Sequence, residues 1–105
     1  MPYIPKVAKV YVVELTLANT WYPILTEAQA KSIMAVKIKS RYVYGSQAPN
    51  PFDYAFSATP DAGVSAGSGF VSNVGGGLSD ILSPSSGIWA RSPEAGTQLE
   101  IITYD

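Results

Sequence analysis

The stretch from Ile33 to Tyr44 constrains this chain more than any other. Met34, Val36, Ile38, Tyr42 and Tyr44 fall on one side of an extended backbone, interrupted by Ser40. Lys37, Lys39 and Arg41 fall on the other, with Ala35 and Val43 at its ends. Side chains of a strand point alternately to opposite faces, so this spacing predicts a strand with an apolar inner face and a basic outer one. A slip of one residue would bury the cations, which pins the register.

The rest of the chain reads the same way. Val7 to Leu17 is rich in β-branched and aromatic residues, and both of its faces are apolar toward the middle. Such a strand is packed on both sides or covered by a partner. Ala18-Asn19-Thr20 reads as a turn. Trp21 to Leu25 is a short strand that Pro23 confines to an edge or a bulge. Only Thr26 to Ser32 favours a helix, with Thr26 as N-cap, and it has room for one or two turns. Asp53 to Ala58 and Phe70 to Val74 are further strands, and Leu78 to Leu82 carries the next apolar side chains. Gly87 to Ser92 and Thr97 to Tyr104 read as a hairpin, closed by a Pro93-Glu94-Ala95-Gly96 turn with Gly96 at positive φ.

Many short strands with turn signals between them predict an all-β single domain, a β-sandwich or jelly roll with at most one short helix. A partly open barrel is the second choice. The domain runs over 7–105, preceded by an N-terminal arm over 1–6 that Pro2 and Pro5 stiffen. At 105 residues the chain has the size of one domain.

Composition narrows the chemistry. Cysteine and histidine are both absent, so the chain by itself builds no disulfide, no thiolate metal site and no Ser-His-Asp triad. Gly75-Gly76-Gly77 lacks the Gly-Lys-Ser/Thr sequel of a phosphate loop and reads as a turn. The candidate acids (Glu14, Glu27, Asp53, Asp61, Asp80, Glu94 and Glu100) mostly sit in turns or on polar strand faces, outside any catalytic or calcium-binding pattern. A non-enzymatic protein without cofactor or metal is therefore expected. No apolar run is long enough to span a membrane, and the start of the chain lacks the apolar core of a signal peptide, so no membrane partner or export is expected.

Charge is sparse. Charged residues make up 14% of the chain, against about 25% in an average domain. A surface so poor in charge is either Ser/Gly/Thr-rich or covered by other subunits. The charge is also uneven: residues 1–41 hold six basic and two acidic residues, whereas residues 42–105 hold one basic and six acidic. Either the halves neutralise each other inside the fold, or a basic surface of one copy meets an acidic surface of another. The net charge of −1 argues against nucleic acid as a partner. Trp21 and Tyr22, beside a turn, are candidates for exposed anchors, whereas Trp89, in the apolar run Ile88-Trp89-Ala90, is expected in the core.

Four segments in order carry a resemblance. They are Leu17-Ala18-Asn19-Thr20-Trp21-Tyr22-Pro23-Ile24-Leu25, Ile33 to Arg41, Ile88-Trp89-Ala90-Arg91-Ser92, and Gly96 to Ile102. This plan resembles small structural proteins of tailed bacteriophages over Val7 to Tyr104, with the Gly/Ser-rich middle from Gln47 to Ser86 unmatched. The resemblance implies a virion component, assembled in the host cytoplasm, with a sandwich or jelly-roll fold. It is compatible with a capsid decoration (cement) protein at capsomer junctions, and equally with a neck, tail or fibre part. The partners expected are the major capsid protein or other virion proteins and further copies of the chain. A glycan-binding module of a phage appendage, built on exposed coplanar aromatics, is the alternative. The contact residues expected are Pro2, Tyr3, Ile4, Pro5 and Lys6 in the arm, Trp21 and Tyr22 as rim anchors, and Lys37, Lys39 and Arg41 as a cationic strand face.

Overall fold

A computed structural model of the chain describes residues 8–41, 49–56, 69–84 and 86–105. The eight strands are β1 (Ala8–Leu15), β2 (Tyr22–Leu25), β3 (Ala35–Ser40), β4 (Phe52–Phe56), β5 (Phe70–Asn73), β6 (Ser79–Leu82), β7 (Ile88–Arg91) and β8 (Thr97–Tyr104). One helix, α1 (Glu27–Lys31), joins β2 to β3. The strands form two four-stranded antiparallel sheets, sheet A in the order β1-β8-β3-β6 and sheet B in the order β2-β7-β4-β5.

The pairing follows a nested rule. The first strand pairs with the last, the second with the seventh, the third with the sixth and the fourth with the fifth. The chain is thus one long antiparallel ribbon rolled across two layers, and β3–β8 and β4–β7 pairs complete the sheets. This is the double-sheet jelly roll, an all-β sandwich rather than a barrel.

The core lies between the layers. Leu15, Val36, Ile38, Leu99 and Ile101 of sheet A face Ile24, Leu25, Phe52, Ile88 and Ala90 of sheet B, all buried. Each large aliphatic side chain there contributes about 1.5–3 kcal/mol over its exposed state. In β8 burial alternates without a break: Thr97, Leu99, Ile101 and Thr103 are inside, Gln98, Glu100, Ile102 and Tyr104 outside. In β3, Val36, Ile38 and Ser40 are buried and Lys37 and Lys39 face out. Met34 departs from the alternation; it precedes the strand and is half exposed. Tyr42 and Tyr44 lie outside the described residues. The Ser40 hydroxyl is buried without a hydrogen-bond partner among the described residues.

Local chemistry sets the ends of the elements. Thr26 Oγ1 accepts from the Gln29 amide, and the Gln29 side chain accepts from the Thr26 amide, so a capping box starts α1. Pro23 sits on β2, an edge of sheet B, beside a register shift. Asn19 turns at φ 55, a left-handed conformation that Asn tolerates well. Gly76 is needed for two reasons: its φ is +66, and a Cβ there would lie 2.5 Å from the Asn50 carbonyl oxygen.

One expectation fails. Residues 87–92 and 97–104 are not a hairpin, because β7 belongs to sheet B and β8 to sheet A. The turn itself is present, with Gly96 at φ 79, but it carries the chain from one layer to the other. Side chains replace the ladder across this arch. Ser92 Oγ donates to the Pro51 carbonyl at 2.7 Å and accepts from the Glu94 amide at 3.1 Å. Thr97 Oγ1 donates to the Glu94 carbonyl at 2.7 Å. Both hydroxyls are buried, so the arch is anchored in the core.

Candidate interaction surfaces

The outer face of sheet A is read from the strand register. One row across β1, β8, β3 and β6 is Ala8, Tyr104, Ala35 and Leu82. The next is Val10, Ile102, Lys37 and Asp80, and the third is Val12, Glu100 and Lys39. The β1 side of this face is apolar and open to solvent: Val10 is 64% exposed and Val12 43%. Leu82, at the far edge, is 80% exposed. β1 therefore has an inner face within the sandwich and an apolar outer face that nothing among the described residues covers.

The cations on this face are paired. Lys37 Nζ lies 3.8 Å from Asp80 and 5.6 Å from the centre of the Tyr104 ring. Lys39 Nζ lies 3.6 Å from one Glu100 oxygen and Arg41 Nε 3.8 Å from the other. Lys9, which projects from the other face of β1 toward α1, reaches Asp105 at 3.7 Å. The basic half of the sequence and the acidic half thus meet inside one sheet, since β3 lies between β6 and β8. Lys37, Lys39 and Arg41 are brought together as expected, but as rungs of an ion-pair ladder with two carboxylates, not as a bare cationic strip.

Sheet B carries a different outer face. Arg91 Nε donates to Asp53 Oδ2 at 3.0 Å, directly across the β7–β4 pair. The guanidinium lies 4.7 Å from the ring centres of both Trp21 and Phe70. Those rings stand 6.0 Å apart at 63° to each other. A cation is therefore held over two aromatic faces and neutralised by a carboxylate, an arrangement that joins β7 to β4, to β5 and to the residue before β2. The rings are not coplanar and the guanidinium packs on both, so they offer no flat double platform to a sugar.

Trp89 corrects the sequence reading. Its neighbours Ile88 and Ala90 are fully buried in the core, and alternation turns Trp89 to the outer face over Ala55, where it is half buried. Tyr22 is half buried against the core, and its hydroxyl accepts from the Leu17 amide at 2.9 Å. Of the two expected anchors, Trp21 belongs to the Arg91 cluster and Tyr22 to the sandwich margin. Pro2, Tyr3, Ile4, Pro5 and Lys6 lie outside the described residues. Phe70, Arg91 and Asp53 carried no site signal in the sequence, because the register that joins them spans β4, β5 and β7.

Tyr11 ties the layers together. Its hydroxyl, on β1, donates to the Ile24 carbonyl on β2 at 3.2 Å, and burial raises its pKa above the usual tyrosine value. Two shallow cavities lie among the described residues. One of about 170 Å³ lies between α1 and the end of β8, lined by Lys9, Gln29, Ile33 and Asp105 among others. One of about 280 Å³ lies by Phe56, Leu82 and Pro84. Neither contains converging carboxylates, and among the described residues no three Asp or Glu side chains gather. No helix among the described residues is long and apolar enough to cross a membrane. No family model, no characterised protein and no solved structure matches the chain.

Proposed function

We propose that this chain is a non-enzymatic structural subunit of a tailed-phage particle, a capsid decoration protein that sits at capsomer junctions against the major capsid protein and against copies of itself. The observation that carries this reading is the outer face of sheet A. Val10, Val12 and Ile102 form a continuous apolar surface on a rigid sheet, in a chain with few charges to keep it dispersed. Covering such a surface with a neighbour removes it from water, which favours association. The double-sheet jelly roll recurs in capsid and lectin domains, a likeness of fold that supports the reading without carrying it.

Lys37, Lys39 and Arg41 enter this reading as a polar rim to the apolar surface, because Asp80 and Glu100 already offset two of their three charges. Many small contacts repeated over a symmetric shell hold by avidity even where each is weak. The test is quantitative mass spectrometry of purified particles. On the order of hundreds of copies per particle supports a shell component, whereas about six or twelve assigns the chain to a neck or tail ring. Absence from washed particles overturns the reading.

A further inference from the structure

We propose that β1 is the contact between two copies of this chain, paired antiparallel across a two-fold axis at Tyr11 so that the two A sheets become one continuous eight-stranded sheet. This deepens the self-association in the proposed function by naming the surface and its register.

The argument starts from the edges. Each sheet has two edge strands, and edges are normally protected by shortness, proline or bulges. β5 and β6 are four residues long, and β2 is four residues with Pro23 and a register shift. β1 has none of these. It runs eight residues without proline or bulge, and Val10-Tyr11-Val12-Val13 is uncharged and β-prone. Among the described residues β1 pairs with β8 alone.

The direction of its free hydrogen-bonding groups follows from the ladder. The Arg41 amide donates to the Gln98 carbonyl, so the even-numbered residues of β8 turn their backbone groups toward β3. The odd-numbered residues of β8 then face β1, where Thr103, Ile101, Leu99 and Thr97 meet Lys9, Tyr11, Val13 and Leu15. The N–H and C=O groups of Ala8, Val10, Val12 and Glu14 consequently point away from the sheet.

Those four residues fit a copy of themselves. With Tyr11 opposite Tyr11, Val10 lies opposite Val12 and Ala8 opposite Glu14, and every outward N–H meets an outward C=O. Lys9 then lies opposite Val13 and Glu14 opposite Ala8, so no like charges face each other across the pair. On the outer face it joins the two Val10–Val12 patches into one. This arrangement keeps inner face with inner face, so both cores stay closed.

The test uses the purified chain in sedimentation over about 1 μM to 1 mM. The expected result is a concentration-dependent species of twice the 11.2 kDa chain mass. Val12→Pro removes an amide that faces away from β8, so it abolishes the dimer while the fold survives; Val12→Lys, at an exposed position, does the same without touching the backbone. The register is read by cross-linking, which the absence of native cysteine makes clean. Val10→Cys mixed with Val12→Cys gives a disulfide under mild oxidation, since residues opposite each other lie about 5.5 Å apart at Cα. Either variant alone gives none, because two strand positions of offset exceed the disulfide limit of about 7 Å. A monomer throughout the range, a dimer that persists in both Val12 variants, or a cross-link in either variant alone overturns the proposal. A monomer that is abundant in particles overturns this contact and spares the virion reading; a dimer absent from particles does the reverse.

Discussion

The two outer faces of the sandwich handle large side chains in opposite ways. On sheet B, Trp21 and Phe70 are occupied by Arg91, and Arg91 by Asp53, so the cluster is complete within the chain. On sheet A, Val10 and Val12 lie beside Ile102 with solvent beyond, on a strand whose outward edge has no partner among the described residues. One face closes on itself and the other is unfinished. Apolar or aromatic residues on a surface therefore do not by themselves mark an interface. The chain's own side chains must first fail to cover them.

The sharpest way to break this contrast is at Arg91. Arg91→Ala removes a charge-assisted hydrogen bond and two cation–π contacts, and leaves the half-buried Asp53 unpaired. Thermal unfolding should show a loss of about 2–3 kcal/mol, roughly 10 °C or more in Tm. Arg91→Lys should recover little of it, because an ammonium lacks the planar face that stacks on both rings. Lys39→Ala on sheet A should cost under about 1 kcal/mol, as an exposed ion pair. Equal losses at the two sites would mean that the faces are not different in kind.

Tyr11 sharpens the comparison from inside, since it fastens unfinished β1 to the closed sheet B. Tyr11→Phe should cost about 1 kcal/mol in denaturant unfolding. Burial raises its pKa, so the folded chain holds the phenol proton more tightly than the unfolded chain does. Its stabilisation is complete below the ordinary tyrosine value of about 10 and is lost as pH rises through the higher folded value. The alkaline fall in stability should therefore be steeper in the native chain than in Tyr11→Phe. Ser40→Ala, which deletes a buried hydroxyl without a partner among the described residues, should be neutral or gain up to about 1 kcal/mol. The smallest effect concerns sugars: tryptophan fluorescence should stay unchanged across a glycan panel, because Arg91 already packs on the Trp21 ring. A saturable response would reopen sheet B as a binding face.

Much of this was legible in the residues. The alternation in β3 and β8, the Thr26 cap and the placing of Pro23 at an irregular edge are local matters, and each appears where the pattern put it. The two apolar faces of β1 were legible as well, but the strand is packed on one side only, with Val10 and Val12 exposed on the other. The Arg91 cluster was not. Its members lie on strands far apart in the chain, and nothing near Arg91 in sequence announces Trp21 or Phe70.

Period and turn chemistry, then, are properties of a few neighbouring residues, and the chain alone settles where strands run and which side chains alternate. Pairing is a choice among distant segments, and only the packed sandwich makes it. The Gly96 turn looks the same in a hairpin as in an arch between layers, and buried Ser92 and Thr97 decide for the arch. Alternation likewise separates Trp89 from Ile88 and Ala90 without saying which set is inside, and the core filled by Ile88 sends Trp89 out. Lys37, Lys39 and Arg41 look like a basic strip until β3 is laid between β6 and β8, where Asp80 and Glu100 offset most of their charge. Local pattern is read within a few residues, but burial and charge balance are set by whichever strands the fold makes neighbours.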